Sequence, residues 1–428
     1  MKRILLLNDT SDHDNWGSQA CAEALKRIIR ETNPGIEIRP IPSEWIARRY
    51  YALKFTVAGR RLVFRHRSSR RLKAEAEAMP YTLAKVFVED FLSRPVIGIP
   101  RVADEFDAAA DQWLAGQGGQ EARDFLDAAR GVDAVVFNAE GSTYRNNYTA
   151  SKALFLLWLA KSRLGLPALF VNGSAMITEV EPVLPGMLRK VFGLIDGVAV
   201  REPRSLETVR RGVPGARVRL IPDSVFYFDD AQIAELQRTE GKLEGAGATD
   251  FDAPVVCLSA SMLPMDYRRD PARSSLYRLV EDLKGGGRRV VLLAKDNSDK
   301  FLRDLARRTG SGFIGPSYHY SDLFGVFSRS RLLVTGRYHH AIMATMVGCP
   351  VIALTTTSHK MSGLCDLFEG DMGECFDATD LFSCMESLRA RASDLLGAGQ
   401  SLRDRLIARA GAFRNETRQL GQLVASVL

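Results

Sequence analysis

The chain alternates between apolar runs of strand length and amphipathic stretches of helical period, which is the pattern of repeated βαβ units. Ile4-Leu5-Leu6-Leu7 predicts a strand over 3–8, followed by a helix over 18–30 and a strand over 36–41. Helices are expected near 82–92 and 120–129, a strand over 133–138, a helix over 149–164 and a strand over 168–172. A helix over 185–194, a strand over 197–201, a helix over 203–211 and a strand over 218–221 complete the first series. The 203–211 helix has Pro203 in its first turn and Gly212 just past its end, the placement helices favour.

Residues 229–254 read as a linker, with a polar helical patch followed by Gly245-Ala246-Gly247-Ala248-Thr249. The alternation then restarts, with strands over 255–259, 289–294, 312–314, 331–335 and 351–355. Between them lie helices over 274–283, 299–308, 320–328 and 342–347, and three helices close the chain, the last within 402–427. Two such series predict an α/β protein of two Rossmann-like domains facing a cleft, a GT-B-like arrangement. The expected division is 1–228 for the N-terminal domain, 229–254 for the linker, and 255–428 for the C-terminal domain with its closing helices.

Composition adds little to this, but charge and cysteines do. At 428 residues with 46% hydrophobic content there is apolar material for two cores. Six cysteines form no C-x-x-C pair, which points to a reducing compartment without a disulfide framework or a zinc site. The apolar run at the N-terminus is too short for a signal peptide, and no apolar run reaches the ~20 residues of a membrane span. The nearest, Ala153 to Ala160, is bounded by Lys152 and Lys161, so a cytoplasmic protein is expected. Ten Lys/Arg and no acid lie between Arg48 and Lys73, so the net charge of +7 resides there and the remainder of the chain carries −3. Tyr50, Tyr51, Phe55, Leu62, Val63 and Phe64 interleave this basic insertion, 45–75. It suits an anionic membrane surface or another anionic partner, or it is a solvated loop. No nucleic-acid motif accompanies it, so no nucleic acid is expected as a partner.

Candidate chemistry gathers at predicted strand ends, the edge where open α/β sheets bind ligands. Gly336-Arg337-Tyr338-His339-His340-Ala341 falls between a strand and a helix start. Arginine, imidazole and a helix N-terminus together suit an anion that must also exchange a proton. The alternative is a histidine that caps the helix, with its neighbour filling a gap in the core. Thr355 to Lys360 leaves the next strand and offers hydroxyls, an imidazole and an ammonium group, or is an ordinary polar loop. Arg201 can reach an anion in the cleft or pair with Glu202 or Glu207, and Asp223 can simply cap a turn. The loop after the first strand, with Asn15 and Gly17, is expected to contact the substrate as such loops commonly do in this architecture; both suit a tight turn and Ser18 an N-cap, and the lack of G-x-G-x-x-G argues against a dinucleotide. Asn138 and Glu140 end another strand and can bond sugar hydroxyls, and Glu140 can also serve as a general base.

Taken in order, these segments resemble the polysaccharide pyruvyl transferase family. Its pattern is an N-x-G-D-x-A-like loop, a Gly-rich strand end, V-R-(D/E)-x-x-S, D-x-x-F, R-x-H-(A/G) and a later loop with lysine. The matches are Asn15, Gly17 and Ala20; Gly141; Val200, Arg201, Glu202 and Ser205; Asp223 and Phe226; Arg337 and His339; and Lys360. The resemblance implies transfer of a pyruvyl group from phosphoenolpyruvate to two hydroxyls of a sugar, forming a ketal, in surface-polysaccharide or exopolysaccharide biosynthesis. It implies that Arg201, Arg337 and Lys360 supply positive charge and that His339 is the acid. No metal or cofactor is needed, the acceptor glycan, free or lipid-linked, lies on the N-terminal side and the donor on the C-terminal side. The basic insertion would place the protein at the inner face of the cell membrane. Three positions depart from the pattern: Ser18 stands for an aspartate, Asn138-Ala139-Glu140 for most of the Gly-rich run, and His340 for a small residue. Two other readings share the scaffold: a nucleotide-sugar-dependent glycosyltransferase and a non-catalytic glycan- or lipid-binding protein.

Overall fold

The computed structural model describes residues 1–47, 98–143, 147–177, 183–242, 255–261, 270–296, 299 and 301–428, with the backbone of 50–57 and 60–67. Its strands are β1 (Arg3–Asp9), β2 (Glu37–Pro42), β3 (Tyr50–Val57), β4 (Arg60–Arg67), β5 (Ala134–Thr143), β6 (Ala168–Ala175), β7 (Gly197–Val200) and β8 (Val218–Leu220) in the first part of the chain. The second part contributes β9 (Val255–Ser259), β10 (Arg289–Leu293), β11 (Gly312–Ile314), β12 (Ser330–Thr335) and β13 (Val351–Ala353). They form a parallel sheet in the order β2-β1-β5-β6-β7-β8, a second parallel sheet in the order β11-β10-β9-β12-β13, and the antiparallel β3-β4 pair.

The run Ile4-Leu5-Leu6-Leu7 shows why β1 is central. All four side chains are fully buried, Leu5 and Leu7 in one apolar cluster and Ile4 and Leu6 in the other. Alternate residues therefore face helices on opposite sides of the sheet, which is what a parallel strand covered on both faces requires.

The two sheets are not independent bodies. The helix Trp16–Thr32 of the N-terminal half packs under the last helix, Gln419–Ala425, where Asn33 donates to the Gly421 carbonyl at 3.2 Å. Trp16 donates its indole N–H to the Tyr318 carbonyl at 2.8 Å, and Phe226 meets Phe413 edge-on at 5.1 Å. A single apolar cluster runs from β1 through these helices into β9 and β12.

Several elements lie outside the sequence-based expectation. Helix Phe106–Leu114 buries Phe106 and Trp113, and helix Lys360–Leu367 follows β13. The polar helical patch expected in the linker is present as the helix Asp230–Thr239, which an Asp229/Gln232 capping box starts. The helix expected at 82–92 and the side chains of the basic stretch 48–73 lie outside the described residues. The apolar helix Tyr148–Ser162 is buried within the protein: Lys152 donates to Glu121 at 2.5 Å and Lys161 to Asp196 at 2.7 Å. Among the described residues no helix is long and apolar enough to cross a membrane.

Candidate active site

The C-terminal ends of both sheets face one cavity of about 590 Å³. From the N-terminal half it is lined by Asn8, Thr10 and Asn15 after β1, by Glu140, Gly141 and Ser142 at the end of β5, and by Arg201 after β7. From the C-terminal half come Ser261 after β9, Lys295 after β10, Gly336 to His340 after β12, and Thr356, Thr357 and Lys360 after β13. Parallel sheets place every strand's C-terminal end on one edge, so residues more than 300 positions apart in sequence meet there.

Strand ends at this edge are bent. Asn8, Glu140 and Asn172 hold φ of 64°, 42° and 59°, on the neighbouring strands β1, β5 and β6. Asparagine tolerates the left-handed region, whereas glutamate rarely enters it. Glu140 is held there through its carboxylate: Thr10 Oγ lies 2.6 Å from one oxygen and Ser18 donates to the other at 3.0 Å. Two of the three departures from the family pattern, Ser18 and Glu140, are thus bonded to each other. A carboxylate remains at this spot, carried by 140 rather than by 18.

Arg201 is almost fully buried and donates to Asp223 at 2.7 Å, with its guanidinium over the Tyr338 ring at 4.4 Å. Burial opposes its charge, and Asp223 and Glu202 more than offset this, so it stays protonated. The sequence suggested Glu202 or Glu207 as its ion-pair partner; Asp223 takes that place because β7 and β8 are adjacent strands. Glu202 instead accepts from His359 at 3.1 Å and from Ser205.

His339 sits where the two halves touch. Its Nε2 is 3.5 Å from Asp223 Oδ2 and 3.4 Å from Arg201 Nη1. Its other nitrogen, Nδ1, lies over Gly17, where a built Cβ would stand only 2.2 Å away. Gly17 therefore does not line the cavity; it makes room for the imidazole. Asn15 caps the same helix by accepting from the Gly17 N–H at 3.0 Å. Burial raises Asp223, but His339, Arg201 and the Val225 N–H overcome it and hold the carboxyl down at about 2. Asp223 does cap a turn, at Ser224–Tyr227, and also carries this second role.

Arg337 is the N-cap residue of the helix Tyr338–Met346 and donates to Asp299. Lys360 opens the helix Lys360–Leu367. A Cβ on Gly141 would stand 3.5 Å from Lys360 Nζ and 4.0 Å from Arg201 Nη2, so both cations face that backbone. Burial, then repulsion from Arg201 and Arg337, pushes the Lys360 ammonium down to about 8. Lys295, which the motif series does not contain, lines the cavity beside Arg337. The one sequence signal for it was its place just past a strand end.

Two expected ligand contacts take other roles. Asn138 is fully buried and does not line the cavity; its Oδ1 accepts from Asn172 at 3.3 Å and its carbonyl from Asn8 at 2.7 Å. The bend at Glu140 comes with its own side chain on the cavity and leaves Asn138 in a polar network beneath it. His340 forms part of the cavity wall but is 1% exposed, with Nδ1 on Ser259 Oγ at 2.9 Å and its ring against Trp16 at 5.7 Å. Burial, followed by the charges of Arg337 and Lys295, keeps it neutral. Of the loop 355–360, Thr356, Thr357 and Lys360 reach the cavity, while His359 turns to Glu202 and Ser205.

The same region contains the ligand-type atoms of Cys21, Asp223 and His339, all within 4.8 Å of one another. The Arg201 guanidinium on Asp223 already supplies a positive charge in that space, which opposes a cation there.

The sequence profile of the family described as polysaccharide pyruvyl transferase matches residues 15–359, most of the chain. This chain belongs to the polysaccharide pyruvyl transferase family. That family is one of enzymes. A search of curated proteins gives no match. Among solved structures, the S. aureus MnaA–UDP complex is similar with a TM-score of 0.54 and 11% identity, covering 99% of this chain and 95% of that one. The UDP-GlcNAc 2-epimerase from Neisseria meningitidis bound to UDP-GlcNAc gives 0.53 and 10%, covering 100% and 99%. Arabidopsis thaliana UGT89C1 complexed with quercetin gives 0.51 and 10%, covering 99% of each chain. At such identities these likenesses show the fold alone, which is GT-B.

Proposed function

We propose that this pyruvyl transferase family member moves the pyruvyl group of phosphoenolpyruvate onto two hydroxyls of a sugar in surface-polysaccharide or glycoconjugate biosynthesis, forming a cyclic ketal. The observation that carries the reading is that Arg201 from the N-terminal half and Lys360, Arg337 and Lys295 from the C-terminal half line one cavity together with His339. Phosphoenolpyruvate has a phosphate and a carboxylate, and fixed cations largely shielded from water bind such a multiply charged anion far better than water-exposed ones.

His339, as imidazolium, gives its proton to the methylene carbon of the donor while a sugar hydroxyl attacks the adjacent carbon. Asp223 stabilises the imidazolium before transfer and fixes the ring's orientation. Phosphate then leaves, and the second hydroxyl closes the ring at the same carbon. Of the two hydroxyl protons, one replaces the proton that became part of the methyl group and the other departs with phosphate. Glu140, with Ser142 and Asn15 on the N-terminal wall, orients the acceptor hydroxyls. Arginine and lysine supply the charge that the transition state needs, so the reading calls for no metal or cofactor.

Ala47 lines the cavity and immediately precedes the basic stretch 48–73. This supports an acceptor met at an anionic membrane surface on the cytoplasmic side, lipid-linked or polymeric. The reading is tested by incubating the protein with phosphoenolpyruvate and a panel of glycans. Acceptor-dependent phosphate release that His339→Ala abolishes is the expected result. A protein stabilised by a nucleoside diphosphate and indifferent to phosphoenolpyruvate would instead favour nucleotide-sugar transfer.

A further inference from the structure

We infer that Lys295 is a ligand of the donor's phosphate group, held beside Arg337 by Asp296 and Asp299. The inference rests on the phosphoenolpyruvate reading and deepens it by assigning the two anionic ends of the donor to different parts of the cavity.

Lys295 follows β10 directly, and its side chain is 14% exposed, into the cavity. Its ammonium contacts Asp296, and its N–H points to Asp299 Oδ2 at 3.4 Å. Asp299, 1% exposed, also receives the Arg337 guanidinium. Two cations are therefore fixed in place by two carboxylates on one short turn. Arg337 is at the same time the N-cap of a helix, whose free N–H groups and dipole add positive potential at that point. Two cationic side chains and the free N–H groups of a helix start therefore converge on one place, a set of donors that suits the outer oxygens of a phosphate with its ~1.5–2 negative charges at neutral pH. Arg201, which comes from the N-terminal half and is held by Asp223, is left for the donor's carboxylate. Burial and the neighbouring Arg337 also depress the Lys295 ammonium, a penalty that a bound phosphate relieves.

The test compares binding of phosphoenolpyruvate, inorganic phosphate and pyruvate to the full-length wild type, Lys295→Met and Lys295→Arg by calorimetry. Lys295→Met is expected to weaken phosphoenolpyruvate and phosphate by about tenfold or more while leaving pyruvate affinity unchanged, and Lys295→Arg to restore most of it. Should Lys295→Met unfold early, Lys295→Gln carries the same comparison. Wild-type phosphate affinity in Lys295→Met, or equal loss of pyruvate, overturns the assignment and leaves the donor reading standing. A wild-type protein that binds neither phosphoenolpyruvate nor phosphate overturns both.

Discussion

Asp223, just past the last strand of the N-terminal sheet, stands 3.5 Å from the Nε2 of His339, which belongs to the opposite half of the molecule. The acid of the proposed reaction is thus oriented by a carboxylate that only the folded, two-domain protein can bring to it. Asp223→Asn is expected to lower kcat by about a hundredfold, because the imidazolium loses its stabilising charge, with a smaller change in KM for phosphoenolpyruvate. Steady-state kinetics of the variant check this, and an unchanged kcat would remove Asp223 from the mechanism.

The same carboxyl should appear in the acid stability of the protein. Its folded value of about 2 lies below the ordinary ~3.9 of an aspartate. Its contribution is therefore fully present above pH ~4 and is lost as pH falls from there toward 2. Asp223→Asn also leaves the buried Arg201 without its partner, which costs on the order of 3–5 kcal/mol. Denaturant unfolding should show a large gap between wild type and variant at neutral pH that narrows toward pH 3.

Gly17→Ala tests the space under His339. Its methyl group would fall 2.2 Å from Nδ1 and 2.5 Å from the Cβ of His339, so the imidazole must move. A displacement of about 1 Å in a reacting group costs on the order of a hundredfold in rate. We expect that loss in kcat/KM, with far-UV circular dichroism unchanged.

Much of this was legible in the sequence, and the reasons differ from element to element. Fully apolar runs such as Ile4 to Leu7 and Val255 to Leu258 identify strands buried on both faces, and from them the two sheets follow. Arg201, Arg337, His339 and Lys360 could be found because strand ends and short motifs mark them. What stayed hidden depends on pairing between strands. Nothing near Arg201 in sequence points to Asp223, because the adjacency of β7 and β8 makes that contact. Asn138 and Glu140 look equivalent in sequence, and only the left-handed turn at Glu140 decides which faces the cavity. The helix Phe106–Leu114 has no side-chain cap, and Lys360–Leu367 has none either, so neither announces its start.

A second tight approach locks the two halves together. A Cβ on Gly363 would stand 2.4 Å from Cγ of Glu202, and Glu202 also accepts from His359. Gly363→Ala should push helix Lys360–Leu367, and Lys360 with it, away from Arg201. A lower thermal midpoint together with weaker phosphoenolpyruvate binding is the expected outcome.

Lys360 gives the donor site its own pH dependence. With its ammonium pushed down to about 8, it is charged below that pH and neutral above it. Affinity for phosphoenolpyruvate should therefore fall as pH rises through 8, and bound donor should move that midpoint upward. Lys360→Arg, which stays charged, should flatten the profile between pH 7 and pH 9.

The central claim is that His339 protonates phosphoenolpyruvate while a sugar diol captures the pyruvyl carbon. The most direct measurement is turnover in deuterium oxide, with the product glycan analysed by mass spectrometry and NMR. A pyruvyl ketal whose methyl group carries deuterium from solvent, formed in step with released phosphate and absent with His339→Ala, is the expected product. Ketal formation that survives His339→Ala, or a product glycan made from a nucleotide sugar while phosphoenolpyruvate remains untouched, would contradict the claim.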